Sequence, residues 1–144
     1  MEASQSSVTF TPLEAAVLEM LLRGTEPVLE ELRRQLGETD IQSREMTGHG
    51  FYLDFTPLAY TEKLHDKFSF VKADFCIGDV EASISFLEYG AGFLLWIRDG
   101  LITSLEGYSY EEIWPEEIDN LNLRYFGGEP RDIEHLRHQW QKTN

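Results

Sequence analysis

The residues of this sequence best suited to chemistry lie in one short run, Leu105-Glu106-Gly107-Tyr108-Ser109-Tyr110. If a strand persists there, Glu106, Tyr108 and Tyr110 alternate onto one face, because successive strand side chains point to opposite sides. A carboxylate among phenols and apolar groups can have a raised pKa and serve as a general acid or base, or it can anchor a cationic ligand. The plainer reading leaves Glu106 at the rim of a sheet with its head in water. Just downstream, Tyr108, Tyr110 and Trp114 stand among Glu111, Glu112, Glu116 and Glu117. Aromatic anchors inside a rim of one sign are a composition found in protein interfaces. The same residues also suit a long loop pinned down by its aromatics and kept soluble by its acids.

Other candidates carry less chemistry. His135 and His138 are three apart on a C-terminal helical stretch, but the segment lacks the His-Glu-x-x-His pattern and a third ligand of a zinc protease. An exposed helix face accounts for them. His49 sits between two glycines in a turn, where acid–base work would need Asp54 as its partner and an ordinary loop histidine would not. Cys76, inside Phe75-Cys76-Ile77, reads as a packed core thiol. There is no Gly-x-Ser-x-Gly, no Gly-x-Gly-x-x-Gly, no Walker loop and no paired-Cys metal motif. No metal or cofactor is expected, and no residue is assigned as catalytic.

What must position the Glu106 run is a hairpin. Phe93 to Arg98 and Leu101 to Tyr108 read as antiparallel strands joined by Asp99-Gly100, a dipeptide suited to a type I′ turn because both central residues need positive φ. A regular ladder from that turn sets Arg98 against Leu101, Trp96 against Thr103, Leu94 against Leu105 and Phe93 against Glu106. Glu106, Tyr108 and Tyr110 then share a face with Phe93, Leu95, Ile97 and Ile102. Both faces of the first strand are apolar, which places it inside a sheet covered on both sides.

The chain has 144 residues, 26 acids against 12 Lys and Arg, and a formal charge of −14. Affinity for nucleic acid and for anionic membranes comes largely from cationic side chains, so neither is an expected partner. Residues 99–123 hold seven acids and no Lys or Arg. A basic partner would be drawn by that field. The single cysteine excludes an internal disulfide and suits a reducing compartment. The first ten residues lack the basic and apolar pattern of a secretory signal, and the longest apolar run, Ala91 to Ile97, is far short of a membrane span of roughly 18 residues. A soluble, cytoplasmic protein is expected.

Taken in order, residues 1–9 are small and polar and are expected to be disordered, with a single α+β domain over residues 10–144. Thr11-Pro12-Leu13-Glu14 combines an N-cap, a first-turn Pro and a capping-box Glu, opening a helix that Gly24 ends. A second helix runs from Pro27 to about Leu36. Ile41 to Met46 and Phe51 to Phe55 alternate as a hairpin, and residues 56–72 read as an irregular connection whose Lys63, Lys67 and Lys72 partly neutralise the acidic segment. Asp79 to Leu87 reads as a strand with Val80, Ala82, Ile84 and Phe86 facing inward. Leu121 to Phe126 adds a last strand, and Pro130 opens a final helix to about Gln141. The fold class is therefore α+β, with two N-terminal helices, an antiparallel sheet of five to six strands and one C-terminal helix. Three amphipathic helices can cover both faces of the sheet, or one face and leave the other to a second subunit.

The run Gly90-Ala91-Gly92-Phe93-Leu94-Leu95-Trp96-Ile97-Arg98-Asp99-Gly100, with Leu105-Glu106-Gly107-Tyr108-Ser109-Tyr110 and Trp114-Pro115, resembles an uncharacterised family of small bacterial proteins. Gly48-His49-Gly50-Phe51 is a weaker mark of the same family, and the resemblance spans roughly residues 40 to 126. It implies no particular activity. The hairpin ending Arg98-Asp99-Gly100-Leu101-Ile102-Thr103 also resembles the last hairpin of NTF2-like cone folds, which implies N-terminal helices and often a ligand pocket.

The expectation is a protein-interaction module for a basic partner, of inhibitor or immunity type, with Glu106, Tyr108, Tyr110, Glu111, Glu112 and Trp114 as binding residues. The alternative is a small-molecule-binding domain or enzyme with a pocket at Glu106 and Tyr108. A third possibility is that the acidic loop completes a homodimer.

Overall fold

The computed structural model describes residues 9–143, so the expected disorder of residues 1–9 falls almost wholly outside the described residues. Helix α1 spans Pro12–Leu21. Its capping box is closed from both directions, the Glu14 amide donating to Thr11 Oγ1 at 3.1 Å and the Thr11 amide to Glu14 Oε1 at 2.9 Å. Helix α2 (Pro27–Gly37) follows, then β1 (Thr39–Met46), β2 (Gly50–Pro57), a short α3 (Leu64–Lys67), β3 (Phe75–Ile77), β4 (Val80–Ser83), β5 (Ala91–Arg98), β6 (Leu101–Ser109), β7 (Asn122–Tyr125) and α4 (Ile133–Trp140). The α+β class holds, and every strand pairing is antiparallel.

The strands run β1-β2-β6-β5-β4-β7, and β3 also pairs with β5, giving seven strands. The short α3 lies within residues 56–72, where an irregular connection is expected from sequence, and the extra strand β3 follows just after it. β3 faces Leu95 to Ile97 and β4 faces Ala91 and Gly92, so the two divide one edge of β5 between them.

Helices α1, α2 and α4 pack on one face of this sheet only. Phe51, Leu53, Phe93, Leu95, Ile97, Ile102 and Leu105 from the sheet join Leu13, Val17, Leu29, Leu32 and Trp140 from the helices in one buried cluster. This corrects the expectation of a sheet covered on both sides. On the outer face Leu94 and Trp96 are only half-buried and Arg98 is exposed.

The hairpin turn is as the dipeptide implies, with φ of 53° at Asp99 and 74° at Gly100. The register beyond it is not. Ile97 faces Ile102 but Trp96 faces Ser104, so Thr103 is an unpaired extra residue, a β-bulge. From there each partner shifts by one, with Leu95 opposite Leu105, Leu94 opposite Glu106 and Phe93 opposite Gly107. The physical reason is burial. Without the bulge Ile102 and Leu105 would point to opposite faces; with it both are fully buried and Glu106 turns away from the core.

Buried polar groups lock the helices to the sheet. Gln35 Nε2 donates to the Gly100 carbonyl at 2.8 Å and to that of Glu62 at 3.1 Å, while its Oε1 accepts from the Ile102 amide at 3.0 Å. Arg131 forms a two-pronged pair with Asp79 at 2.7 and 2.9 Å, donates to the Leu21 and Arg23 carbonyls at 2.8 Å, and stacks over Tyr125. Tyr125 Oη donates to the Met20 carbonyl at 2.6 Å, and Arg33 donates to those of Leu22 and Gly24. The carbonyls of the last turn of α1, which has no basic residue of its own there, and of the residues just after it are thus met by side chains from elsewhere.

Candidate functional site

The bulge at Thr103 separates the residues that sequence places together. Glu106 and Tyr108 lie on the outer face beside Leu94 and Trp96, opposite to the core side chains Phe93, Leu95 and Ile97. Their expected association with that apolar row is corrected here.

On the outer face the Glu106 carboxylate accepts from Tyr52 Oη at 3.2 Å and from Trp96 Nε1 at 3.3 Å. Tyr52 is the cross-strand partner of Glu106. The carboxylate raises the Tyr52 phenol above its ordinary value, first by charge repulsion against phenolate and then by the hydrogen bond. Arg98 lies over the Trp96 ring at 4.8 Å. Tyr108 is pushed up to about 12, first by burial and then by Tyr110, so at neutral pH it is a neutral donor and no base. Its ring lies across Gly92, where a Cβ would overlap the Tyr108 hydroxyl. It meets Tyr110 edge to face at a centroid distance of 5.6 Å. Cys76, across from Trp96 on the same face, has its thiol raised, above all by burial. Neither Glu106 nor Tyr108 lines the cleft beside α1 and α2, the cleft beside Trp114 and Met46, or the concavity at Phe86.

The next segment, residues 110–121, turns part of its aromatic and acidic content inward. The Trp114 amide donates to the Gly48 carbonyl at 2.8 Å, and its indole is buried edge-on against Phe51 at 5.7 Å. Glu112 is a structural clasp, its carboxylate accepting from the Glu88 and Tyr89 amides at 2.9 and 3.1 Å. Its carbonyl accepts from the Ser109 hydroxyl and faces His49 Nδ1 at 2.9 Å. His49 therefore engages this loop, whereas Asp54 faces Ser43.

Turning Trp114 and Glu112 inward turns their neighbours outward. Ile113 is 79% exposed, and Glu111, Glu116, Glu117 and Asp119 project into solvent. Beside them stands Phe86, 83% exposed and held at a φ of 74°. Sequence alternation places Phe86 in the core, and the structure corrects this. β4 stops at Ser83, after which the Ser85 amide bonds to the Asp119 carbonyl and the chain leaves the ladder. Phe86 and Ile113 share a shallow concavity of about 570 Å³ with Trp114, Pro115, Glu116, Glu117 and Asp119. Phe86 and Ile113 are the residues sequence reasoning misses. The one available signal was Ile113 itself, an isolated aliphatic residue between Glu112 and the buried Trp114.

Charge divides the molecule. Lys63 reaches Asp99 at 2.7 Å and Lys67 reaches Glu31 at 2.8 Å, both near the closed end of the hairpin. Lys63 thus neutralises one acid of the segment, as the partial neutralisation expected from sequence requires, whereas Lys67 is held by α2, away from the rim. Among the described residues no Lys, Arg or His forms an ion pair with Glu111, Glu116, Glu117 or Asp119. Among them, too, no helix is long and apolar enough to cross a membrane and no cluster of three potential metal ligands occurs. Comparison with family models, with curated proteins and with solved structures finds no match.

Proposed function

We propose that this chain is a protein-interaction module that captures a basic partner, in the manner of an inhibitor or immunity protein, through the rim formed by Phe86, Ile113, Glu111, Glu116, Glu117 and Asp119. The observation that carries this reading is the pairing of two almost fully exposed apolar side chains with four acids that have no described cation. An aromatic residue held at positive φ costs about 1 to 2 kcal/mol relative to a right-handed conformation, and such strain collects at binding sites. Exposed apolar anchors supply contact area, and the unpaired acids supply steering and selectivity for a surface rich in Lys and Arg. Tyr110 and Glu111 extend the rim toward the outer sheet face, whereas Trp114 and Glu112 support it from beneath.

The test is capture from a lysate of the source organism at low and moderate salt. The parent protein is expected to retain one basic protein, identified by mass spectrometry, with a yield that falls as salt rises. A Glu116→Lys/Glu117→Lys variant is expected to keep its circular dichroism spectrum and lose that protein. Glu112 is left intact because its carboxylate holds the Glu88 and Tyr89 amides. Unchanged capture by the folded variant would falsify the proposal.

A further inference from the structure

We infer that the apolar cleft on the far side of Trp114 is the anchor pocket of this surface, built for one large apolar side chain of the basic partner flanked by Lys or Arg. The inference rests on the reading above and names the partner's binding element. The cleft has a volume of about 670 Å³, within the range of roughly 300 to 1,000 Å³ typical of pockets that enclose a small ligand. Phe51 and Trp114 form an aromatic wall, with Leu13, Ile118 and Leu121 beside it and the exposed Met46 at the lip. Methionine at a lip adapts to different occupants because it is unbranched and polarizable.

The polar groups in the cleft decide the sign of what enters. Arg44 donates to both Glu14 oxygens at 2.7 Å and to the Thr9 carbonyl at 2.8 Å, so the one cation present is already neutralised by a buried carboxylate. The N-terminus of α1 also lines the cleft, but its capping box is closed on itself. Neither group recruits an anion. Glu116 is the remaining charge, and it belongs both to this cleft and to the acidic concavity next to it.

That sharing sets the geometry. Trp114, Pro115 and Glu116 form a ridge, with the apolar cleft on one side and the concavity of Phe86, Ile113, Glu117 and Asp119 on the other. An apolar residue seated in the first places neighbouring basic residues over the second. Charge complementarity selects a cationic flank, because an anionic one would meet Glu116, Glu117 and Asp119, none of which has a described cation.

The experiment titrates isotope-labelled protein with three probes that share one ring and differ in charge, namely tryptamine, indole and indoleacetate. Tryptamine and indole are expected to shift the signals of Trp114, Met46 and Gly48, tryptamine binding about threefold more tightly through one exposed charge contact. Indoleacetate is expected to bind most weakly. Glu116→Gln should bring tryptamine to the level of indole and leave indole unchanged, and Met46→Trp, which fills the lip, should weaken all three. Silence at the cleft, binding that ignores Met46→Trp, or indoleacetate binding as tightly as tryptamine would each overturn the inference. The probes need no partner, so a silent cleft beside successful, salt-sensitive capture removes the anchor pocket alone. A responsive cleft beside failed capture removes the interaction reading instead.

Discussion

In the helical layer and where it meets the sheet, charge is met by charge. Arg131 holds Asp79 and Arg44 holds Glu14, each in a two-pronged pair, and Arg137 holds Glu26 at 2.9 Å. Glu31 is gripped by Arg34 and by Lys67. At the open end of the β5–β6 hairpin, by contrast, Glu111, Glu116, Glu117 and Asp119 meet no described cation, and Phe86 and Ile113 stand in water. The difference follows from solvation. A charge taken out of water costs several kcal/mol unless it is paired, so the helical layer must pair its ions. An acid on a solvated rim costs little by itself, and its field reaches outward for about 8 to 10 Å at moderate salt. Pairing maintains the fold, and its absence at the rim leaves a field for a partner to use.

The comparison breaks first, and hardest, at Arg131. Its side chain is only 7% exposed and serves Asp79, the Leu21 and Arg23 carbonyls and the Tyr125 ring together. Arg131→Met strands the Asp79 carboxylate, which should cost about 3 to 5 kcal/mol in urea unfolding. A loss below about 1 kcal/mol would show that the pair is not needed to hold the layer. The rim should answer with the opposite sign. Phe86→Gly removes a bulky side chain from a φ of 74° and sacrifices almost no buried area, so it should raise stability by about 1 kcal/mol while capture weakens. Lower stability in that variant would mean that Phe86 supports the fold and is not a strained anchor.

These two sites also mark what a reader of the sequence can see. The capping box at Thr11, the Asp99-Gly100 turn and the alternating strands are local signals, and each led to the right element. The face of Glu106 was not legible, because it depends on one bulge at Thr103 that reverses every residue after it. Gln35 and Arg131 read as ordinary polar residues on helical or loop stretches. Their partners are 65 and 52 positions away, and nothing local announces them. Phe86 failed for the same kind of reason. It continues an apolar alternation, but the strand ends early once Ser85 bonds to Asp119 across the rim. For the site, the acids and Trp114 were legible as a segment, whereas which of them face inward was decided by the Gly48 carbonyl and the amides of Glu88 and Tyr89.

The smallest effect separates the two regions by pH. Burial alone would raise Glu31, but the hydrogen bonds from Arg34 and Lys67 outweigh it and hold the carboxyl below its ordinary value of 4.5. Glu26 is likewise lowered, chiefly by its hydrogen bond from Arg137. A carboxyl depressed in the folded state contributes stability above its unfolded pKa and loses that contribution as pH falls through the folded one. Glu31→Gln should therefore be less stable than the parent at neutral pH, and the two curves should converge in acid as Glu31 of the parent takes up its proton. The gap is modest because Arg34 and Lys67 are themselves partly exposed and screened. Glu116→Gln/Glu117→Gln should leave stability at neutral pH within about 0.5 kcal/mol of the parent's, since no described cation rewards those charges in the folded state. A rim variant that loses as much stability at neutral pH as Glu31→Gln does would show that the rim carboxylates are paired within the fold, and the contrast between the two regions would fail.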